Sequence, residues 1–259
     1  MTSPNPMPIS AAAKLIRNAR HVSVFTGAGI SVESGIPPFR GAEGLWSRYD
    51  PRSLELTYFH AHTEESWKVI KEIFYDFFGK ARPNDAHRAL AAMEREGLVK
   101  TVITQNIDNL HQEAGSRSVL EFHGNSQMLL CLECGRRRPA READLAVLPP
   151  HCECGGLFKP DFIFFGEMIP EPARTLSFRE AELADVFLLV GTTGEVMPAC
   201  LVPEEAKRNG AAIIEVNTEP SNYTPHLTDV FLKGKATDVL RRLVRELGID
   251  FAPDQEQEH

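Results

Sequence analysis

Apolar residues along the chain gather in short unbroken runs, and these runs alternate with stretches at helical spacing. Residues 10–19 carry apolar side chains three and four apart behind Ser10, a hydroxyl suited to capping a first turn, and predict a helix. His21-Val22-Ser23-Val24-Phe25 alternates and stops at Thr26-Gly27-Ala28-Gly29, a strand entering a tight turn. Residues 98–103, 184–190 and 211–216 are apolar runs of strand length. Each ends in polar or glycine-rich sequence: Thr104-Gln105-Asn106-Ile107-Asp108-Asn109-Leu110-His111, then Gly191-Thr192-Thr193-Gly194, then Asn217. Strands that are apolar on both faces belong to buried parallel sheets. Further strands are expected at 118–122, at 159–165 before a Gly166-Glu167 turn, and at 230–232.

Helices are expected at 86–96, capped by Asn84 and ended by Gly97, at 109–114, from Pro198 to Asn209, and at 235–247. His87 reads as a capping or packing residue. Residues 51–80 carry Trp67, Ile70, Ile73, Phe74, Phe77 and Phe78 at helical spacing, a stripe that reads as core. The residues to Pro8 read as a loose lead-in and those from Asp254 as a disordered tail.

Strand–loop–helix units in this order predict an α/β fold, a doubly wound parallel sheet whose chemistry sits at the strands' C-terminal ends. Gly27 and Gly29 allow a tight turn and close approach of backbone to a phosphate, although Val32 replaces the third glycine of the dinucleotide fingerprint. Gly191-Thr192-Thr193 makes a second phosphate cradle, and Asn217 is placed to bond a ribose. The loop through Phe39 and Arg40 is either a lid over a nucleotide or an ordinary surface loop with Phe39 in the core. The polar groups of Gln105, Asn106 and Asp108 can grip an amide or a ribose, and His123, after a short strand, can exchange a proton near neutral pH.

Four of the five cysteines form two close pairs, Cys131-x-x-Cys134-Gly135 and Cys152-x-Cys154-Gly155. Thiolate pairs followed by glycine are zinc knuckles, and four thiolates close a structural site with no position left for substrate. The second pair is one residue tighter than usual, so His151 competes with Cys152 as the fourth ligand, with Cys152 preferred. Cys200 reads as a buried apolar residue.

Composition narrows the partners. The formal net charge of −8 argues against nucleic acid and mildly favours basic protein segments. No run approaches the ~20 apolar residues of a membrane helix, and no signal peptide is apparent, so the expectation is a cytoplasmic chain without a membrane partner. The length of 259 residues suits one large domain, or one plus a small insert, and a hydrophobic content of 42% is ordinary for a globular chain.

Taken together, Gly27-Ala28-Gly29-Ile30-Ser31, Gly35-Ile36-Pro37-Pro38-Phe39-Arg40, Thr104 to His111, Phe122-His123-Gly124, the paired cysteines, Phe165-Gly166-Glu167, Gly191-Thr192-Thr193 and Val216-Asn217 resemble, in order, the sirtuins. These are NAD-dependent protein lysine deacylases, and the resemblance covers roughly residues 10–245. It implies a discontinuous Rossmann-like NAD-binding domain (8–124 and 159–248) and a zinc-ribbon small domain (125–158). Residues 35–80 join the latter as a helical module and cofactor loop, with 249–259 as tail.

By the same resemblance NAD is held by Gly27, Ala28, Gly29, Ile36, Phe39, Arg40, Gln105, Asn106, Ile107, Asp108, Gly191, Thr192, Thr193, Asn217 and Ala236. His123 and Asn106 are catalytic. Ile163, Phe165, Gly166 and Glu167 line the strip where an acyl-lysine peptide pairs as an added strand. One structural Zn2+ sits on Cys131, Cys134, Cys152 and Cys154, and the chain is expected to be a monomer.

Two departures from the family pattern bear on substrate. Gly194-Glu195 replaces an apolar pair, which alters the peptide-pairing strip. Residues 71–78 lack the Tyr-x-x-Arg pair of desuccinylating relatives, so acetyl or longer aliphatic acyl groups are expected. Competing readings are protein mono-ADP-ribosylation, a zinc-ribbon nucleic-acid module, and a nicotinamide dehydrogenase.

Overall fold

The computed structural model describes residues 7–39, 44–141 and 145–251. Arg40 and the tail from Asp254 lie outside the described residues. Nine strands are described: β1 (Val22–Thr26), β2 (Val99–Thr104), β3 (Val119–Glu121), β4 (Gly124–Cys131), β5 (Arg137–Pro139), β6 (Phe158–Phe162), β7 (Val186–Val190), β8 (Ala212–Asn217) and β9 (Val230–Lys233). The helices are α1 (Met7–Asn18), α2 (Leu56–Ala61), α3 (Thr63–Ile70), α4 (Asp85–Arg95), α5 (Leu110–Glu113), α6 (Ala173–Leu183), α7 (Leu201–Arg208) and α8 (Ala236–Leu247).

Six strands form one parallel sheet in the order β3-β2-β1-β7-β8-β9. The chain winds outward from β1 to β3, then returns to β7 beside β1 and winds the other way. That reversal is the switch point of a doubly wound fold, where the crevice for a ligand opens.

The period-two geometry of these apolar strands sorts their side chains. Val24, Val102, Leu188 and Ile214 face α1, α4 and α8 through Ile16, Leu90, Met93, Leu240 and Leu243. Phe25, Ile103, Leu189 and Ile213 face α6 and α7 through Ala181, Val202 and Ala206. Each such branched or aromatic side chain gains about 1.5–3 kcal/mol on leaving water, which is why the sheet needs helices on both faces.

Three local differences from the sequence reading have plain causes. Helix α1 begins by Met7, because a proline in the first turn of a helix forfeits no hydrogen bond. Pro8 is therefore helical, and Ser10 lies inside the helix, donating to Glu246 Oε1 at 3.0 Å. Helix α6 has only Ser177 and Ala181 buried, so it left no apolar periodicity to read. The region 51–80 is a relay: a 3-10 turn, then α2, α3, a π-helical stretch over Lys71–Phe77 and a last 3-10 turn.

A second, three-stranded antiparallel sheet has the order β5-β4-β6. Strand β6 pairs here with β4, antiparallel; an apolar strand alone does not specify its partner. Its Phe158 and Phe162 join Trp67, Ile70, Ile73, Phe74 and Phe78 in a separate core beneath the cysteine cluster. Among the described residues no helix is long and apolar enough to cross a membrane.

Candidate active site and metal centre

Three strand ends converge at the switch point. After β1 the chain turns through Gly27 and Gly29, and after β7 through Gly191. Gly29 N–H donates to Gly191 O at 2.9 Å. A Cβ on Gly29 would lie 2.6 Å from Gly191 Cα, and one on Gly191 would lie 2.5 Å from Gly29 C. Only glycine fits on both sides of this approach, so two backbone turns form one cradle. Gly191 also holds φ +62°.

The end of β2 is stitched onto this cradle. Gln105 N–H donates to Thr26 O at 3.0 Å, and Gln105 Nε2 donates to Thr192 Oγ1 at 3.1 Å. From the next strand, Asn217 Nδ2 donates to Thr192 O at 3.0 Å. Thr193 is exposed on the rim. Helix α8, with Ala236 at its start, packs on the turn Ala28–Ile30, and Glu33 accepts from Thr237 Oγ1 at 2.7 Å.

Ser31 is a hub that the sequence reading quoted only as part of a motif. Fully buried, it donates to Asp108 Oδ2 at 2.7 Å and accepts from Asn106 Nδ2 at 3.1 Å. Asn106 Nδ2 also reaches Gly27 O at 3.2 Å, and Asp108 Oδ1 accepts from Leu110 N–H at 3.0 Å. Burial raises the Asp108 carboxyl pKa above its ordinary value, and the Leu110 and Ser31 donors hold it back. A lone serine after a glycine turn gives no sign of this role in sequence, because its partners lie far along the chain. Asn109, at φ 65°, turns the chain from this cluster into α5.

His123 follows β3. Its Nδ1 lies 3.0 Å from Gln105 O. A carbonyl only accepts, so Nδ1 carries a proton, and in the neutral ring Nε2 keeps its lone pair. Burial lowers its pKa, partly opposed by the Gln105 carbonyl, and favours the neutral imidazole. Its carbonyl accepts from Ile163 N–H at 2.8 Å. The neighbouring Gly124, at φ +77°, lets β4 approach so closely that a Cβ would lie 2.3 Å from Asp161 O.

Beyond β6 the side chains alternate. Phe162 and Phe164 are buried, while Phe165 and Gly166 are exposed. The Phe165 and Trp46 rings are tilted to each other with centroids 6.3 Å apart, and Trp46 and Phe39 likewise at 5.5 Å, so the segment at Phe39 meets the strand end at Phe165 through Trp46. Ile36 is buried in the second core and Ile107 packs against it. Glu167 points inward, to Lys159 Nζ at 3.0 Å and Phe164 N–H at 2.6 Å.

The four cysteine sulfurs lie within 4.8 Å of one another, with Cys131 to Cys154 at 3.6 Å and Cys134 to Cys152 at 3.8 Å. Tetrahedral zinc at a Zn–S distance of about 2.3 Å sets its sulfurs ~3.8 Å apart, so the donor set fits one Zn2+. Gly135 N–H donates to Cys131 O and Gly155 N–H to Cys152 O, closing the two knuckles. A Cβ on Gly156 would lie 2.9 Å from Cys131 Sγ. His151 is exposed and turned to Pro149 O at 2.9 Å, which leaves Cys152 as the fourth ligand.

A doubly wound sheet with a two-loop glycine cradle, a neutral histidine at its rim and a four-thiolate module defines a dinucleotide-dependent enzyme class. Residues 27–198 match the model of the Sir2 family, and the chain belongs to that family. A Pyrococcus furiosus protein named NAD-dependent protein deacylase is 44% identical over 248 residues, spanning 91% of this chain and 96% of that one. A solved Sir2 homologue–NAD complex is 40% identical with a TM-score of 0.86, covering 92% of this chain and 93% of that one. A Sir2 structure with a deacetylated p53 peptide and 3'-O-acetyl ADP ribose is 32% identical with a TM-score of 0.88, covering 93% and 99%.

Proposed function

We infer that this protein is an NAD-dependent protein lysine deacylase, moving the acyl group of a modified lysine to ADP-ribose with release of nicotinamide. The observation that carries the reading is His123, held through Gln105 to the cradle where a dinucleotide fits and through Ile163 to the strip where a peptide fits. When bound, NAD supplies an electrophilic ribose carbon with nicotinamide as its leaving group, and the acyl oxygen of the lysine is the nucleophile.

The chain's own groups divide the work. The Gly27, Gly29 and Gly191 turns, with Thr192, Thr193 and Asn217, offer backbone and side-chain donors to the phosphates and ribose of the adenosine half. Gln105 would hold the second ribose. Asn106 and Asp108, fixed by Ser31, would hold the carboxamide: each Asp108 oxygen has one donor and keeps a lone pair that could accept an amide N–H. Phe39 and Ile36 exclude water. His123 Nε2 would serve as the base for the ribose hydroxyl that attacks the acyl carbon.

Zinc is structural here. The acyl group is acetyl or a longer aliphatic chain, since residues 71–78 bring the apolar rings of Phe74 and Phe78 against each other and Phe74 against Phe162, and lack the Tyr-x-x-Arg pair of desuccinylating relatives. Net charge of −8 suits lysine-rich peptide segments better than nucleic acid. Free thiols set as a metal cluster fit a reducing cytoplasm.

The test follows nicotinamide release from NAD with an acetyl-lysine peptide whose mass is monitored, in wild type and His123→Ala. Wild type should release nicotinamide and remove the acetyl mass, and the variant should lose at least a hundredfold in acyl removal. Nicotinamide release with ADP-ribose added to the protein target would establish transfer instead.

A further inference from the structure

Lys159 is the one lysine among the described residues buried to 2% exposure. Its ammonium has three protons and three oxygen partners: Pro160 O at 3.0 Å, Phe162 O at 2.6 Å and Glu167 Oε2 at 3.0 Å. It also lies 4.3 Å above the Phe164 ring. The same Glu167 oxygen accepts from Phe164 N–H at 2.6 Å. Ammonium and carboxylate thus fill the inside of the turn that carries the chain from β6 through residue 167.

Burying such a pair costs more than its attraction commonly returns, and apolar side chains of equal volume often serve stability as well. What the pair does supply is geometry. It holds Phe162 by its carbonyl and Phe164 by its N–H, which sets Phe162 and Phe164 inward and turns Phe165 to the exposed side. Between them Ile163 donates to His123 O at 2.8 Å, and Phe165 N–H donates to Leu54 O at 2.8 Å. Any relaxation of the turn therefore moves both the strip and the backbone of His123.

We propose that Lys159 is a positioning residue for the acyl-lysine peptide: through Phe162 O and Glu167 it locks residues 162–167 in the shape that receives the peptide beside His123. This rests on the reading of that strip as the peptide site. The glycine cradle is built from the ends of β1, β2 and β7, which belong to the other sheet.

The experiment compares wild type, Lys159→Met and the neutral pair Lys159→Met/Glu167→Gln, with thermal unfolding, NAD affinity by calorimetry, and separate KM values for peptide and NAD. The single variant leaves Glu167 buried without its cation and can lose folding; the double variant removes both charges and keeps volume. In the double variant the peptide KM should rise at least tenfold, with NAD affinity within twofold of wild type and cooperative unfolding kept. A wild-type peptide KM in the folded double variant would overturn the proposal. So would parallel losses for NAD and peptide, which mark general destabilisation. A wild type that binds NAD but leaves every acyl-lysine peptide intact would overturn the deacylase reading, and this inference with it.

Discussion

His111 shows how much one side chain can report. It is 1% exposed, and its Nε2 lies 2.9 Å from Thr26 Oγ1. Thr26 spends its proton on Thr104 Oγ1 at 2.8 Å, so His111 Nε2–H must donate, leaving Nδ1 buried without a partner among the described residues. Burial pushes the His111 pKa down to about 4. In the unfolded chain it returns to about 6.5. Between those values the unfolded state binds a proton that the folded state refuses, so stability is full above pH 6.5 and falls as pH drops towards 4. The slope reaches about 1.4 kcal/mol per pH unit, or roughly 3 kcal/mol for this residue across the window. His87, also held low by burial, acts in the same sense. Thermal unfolding across pH 4–7 should therefore show a steep acid limb, and His111→Gln should flatten it. An equally steep limb in the variant would show that the titration lies elsewhere.

At the scale of elements, the proposed NAD site rests on the facing turns after β1 and β7, and their approach is testable. Gly191→Ala puts a methyl group 2.5 Å from Gly29 C and Ile30 N, at φ +62°. The left-handed backbone alone costs about 1–2 kcal/mol, and the clash falls on backbone that cannot swing aside. The expected result is a lower melting temperature and at least tenfold weaker NAD binding. Gly210→Ala is the control. It has φ +91° but open space around it, so it should cost stability alone. Equal NAD affinity in the two variants would mean that the cradle does not hold the cofactor. These turns were legible in sequence, because an apolar strand stopping at Gly-x-Gly leaves few structures open, and the strands of the parallel sheet moved by only a residue or two; β6 ended three residues short of its expected end, and β4 and β5, set by pairing in the small sheet, were not read. The inward aim of Glu167 and the hub at Ser31 were not legible. Both depend on partners brought together by the fold rather than by spacing. Helix α6 was hidden for the opposite reason, a face with almost nothing apolar to bury.

Across the whole molecule the two sheets are stabilised in different ways. The parallel sheet is sandwiched between helices and buries its strands on both faces. The small sheet has strands of 8, 3 and 5 residues. Its core reaches the cysteines, with Cys131 and Cys152 packed among Leu129, Phe158 and Phe162. Four thiolates drawn within 4.8 Å repel one another once deprotonated, so the metal that neutralises them also supplies much of that sheet's folding energy. Stripping zinc should therefore release β4–β6 and, through the Ile163–His123 hydrogen bond, the proposed peptide strip and the proposed base, while β1, β7 and β8 hold. Hydrogen exchange would show this directly: amides of β4 and β6 should lose protection in the zinc-free protein while those of β1 and β7 keep theirs, and deacylation should vanish before NAD binding does. Full deacylation in a demonstrably zinc-free protein would remove the metal from the account of the fold. Simultaneous loss of protection in both sheets would mean that the protein unfolds as one unit, with the small sheet's stability shared rather than local.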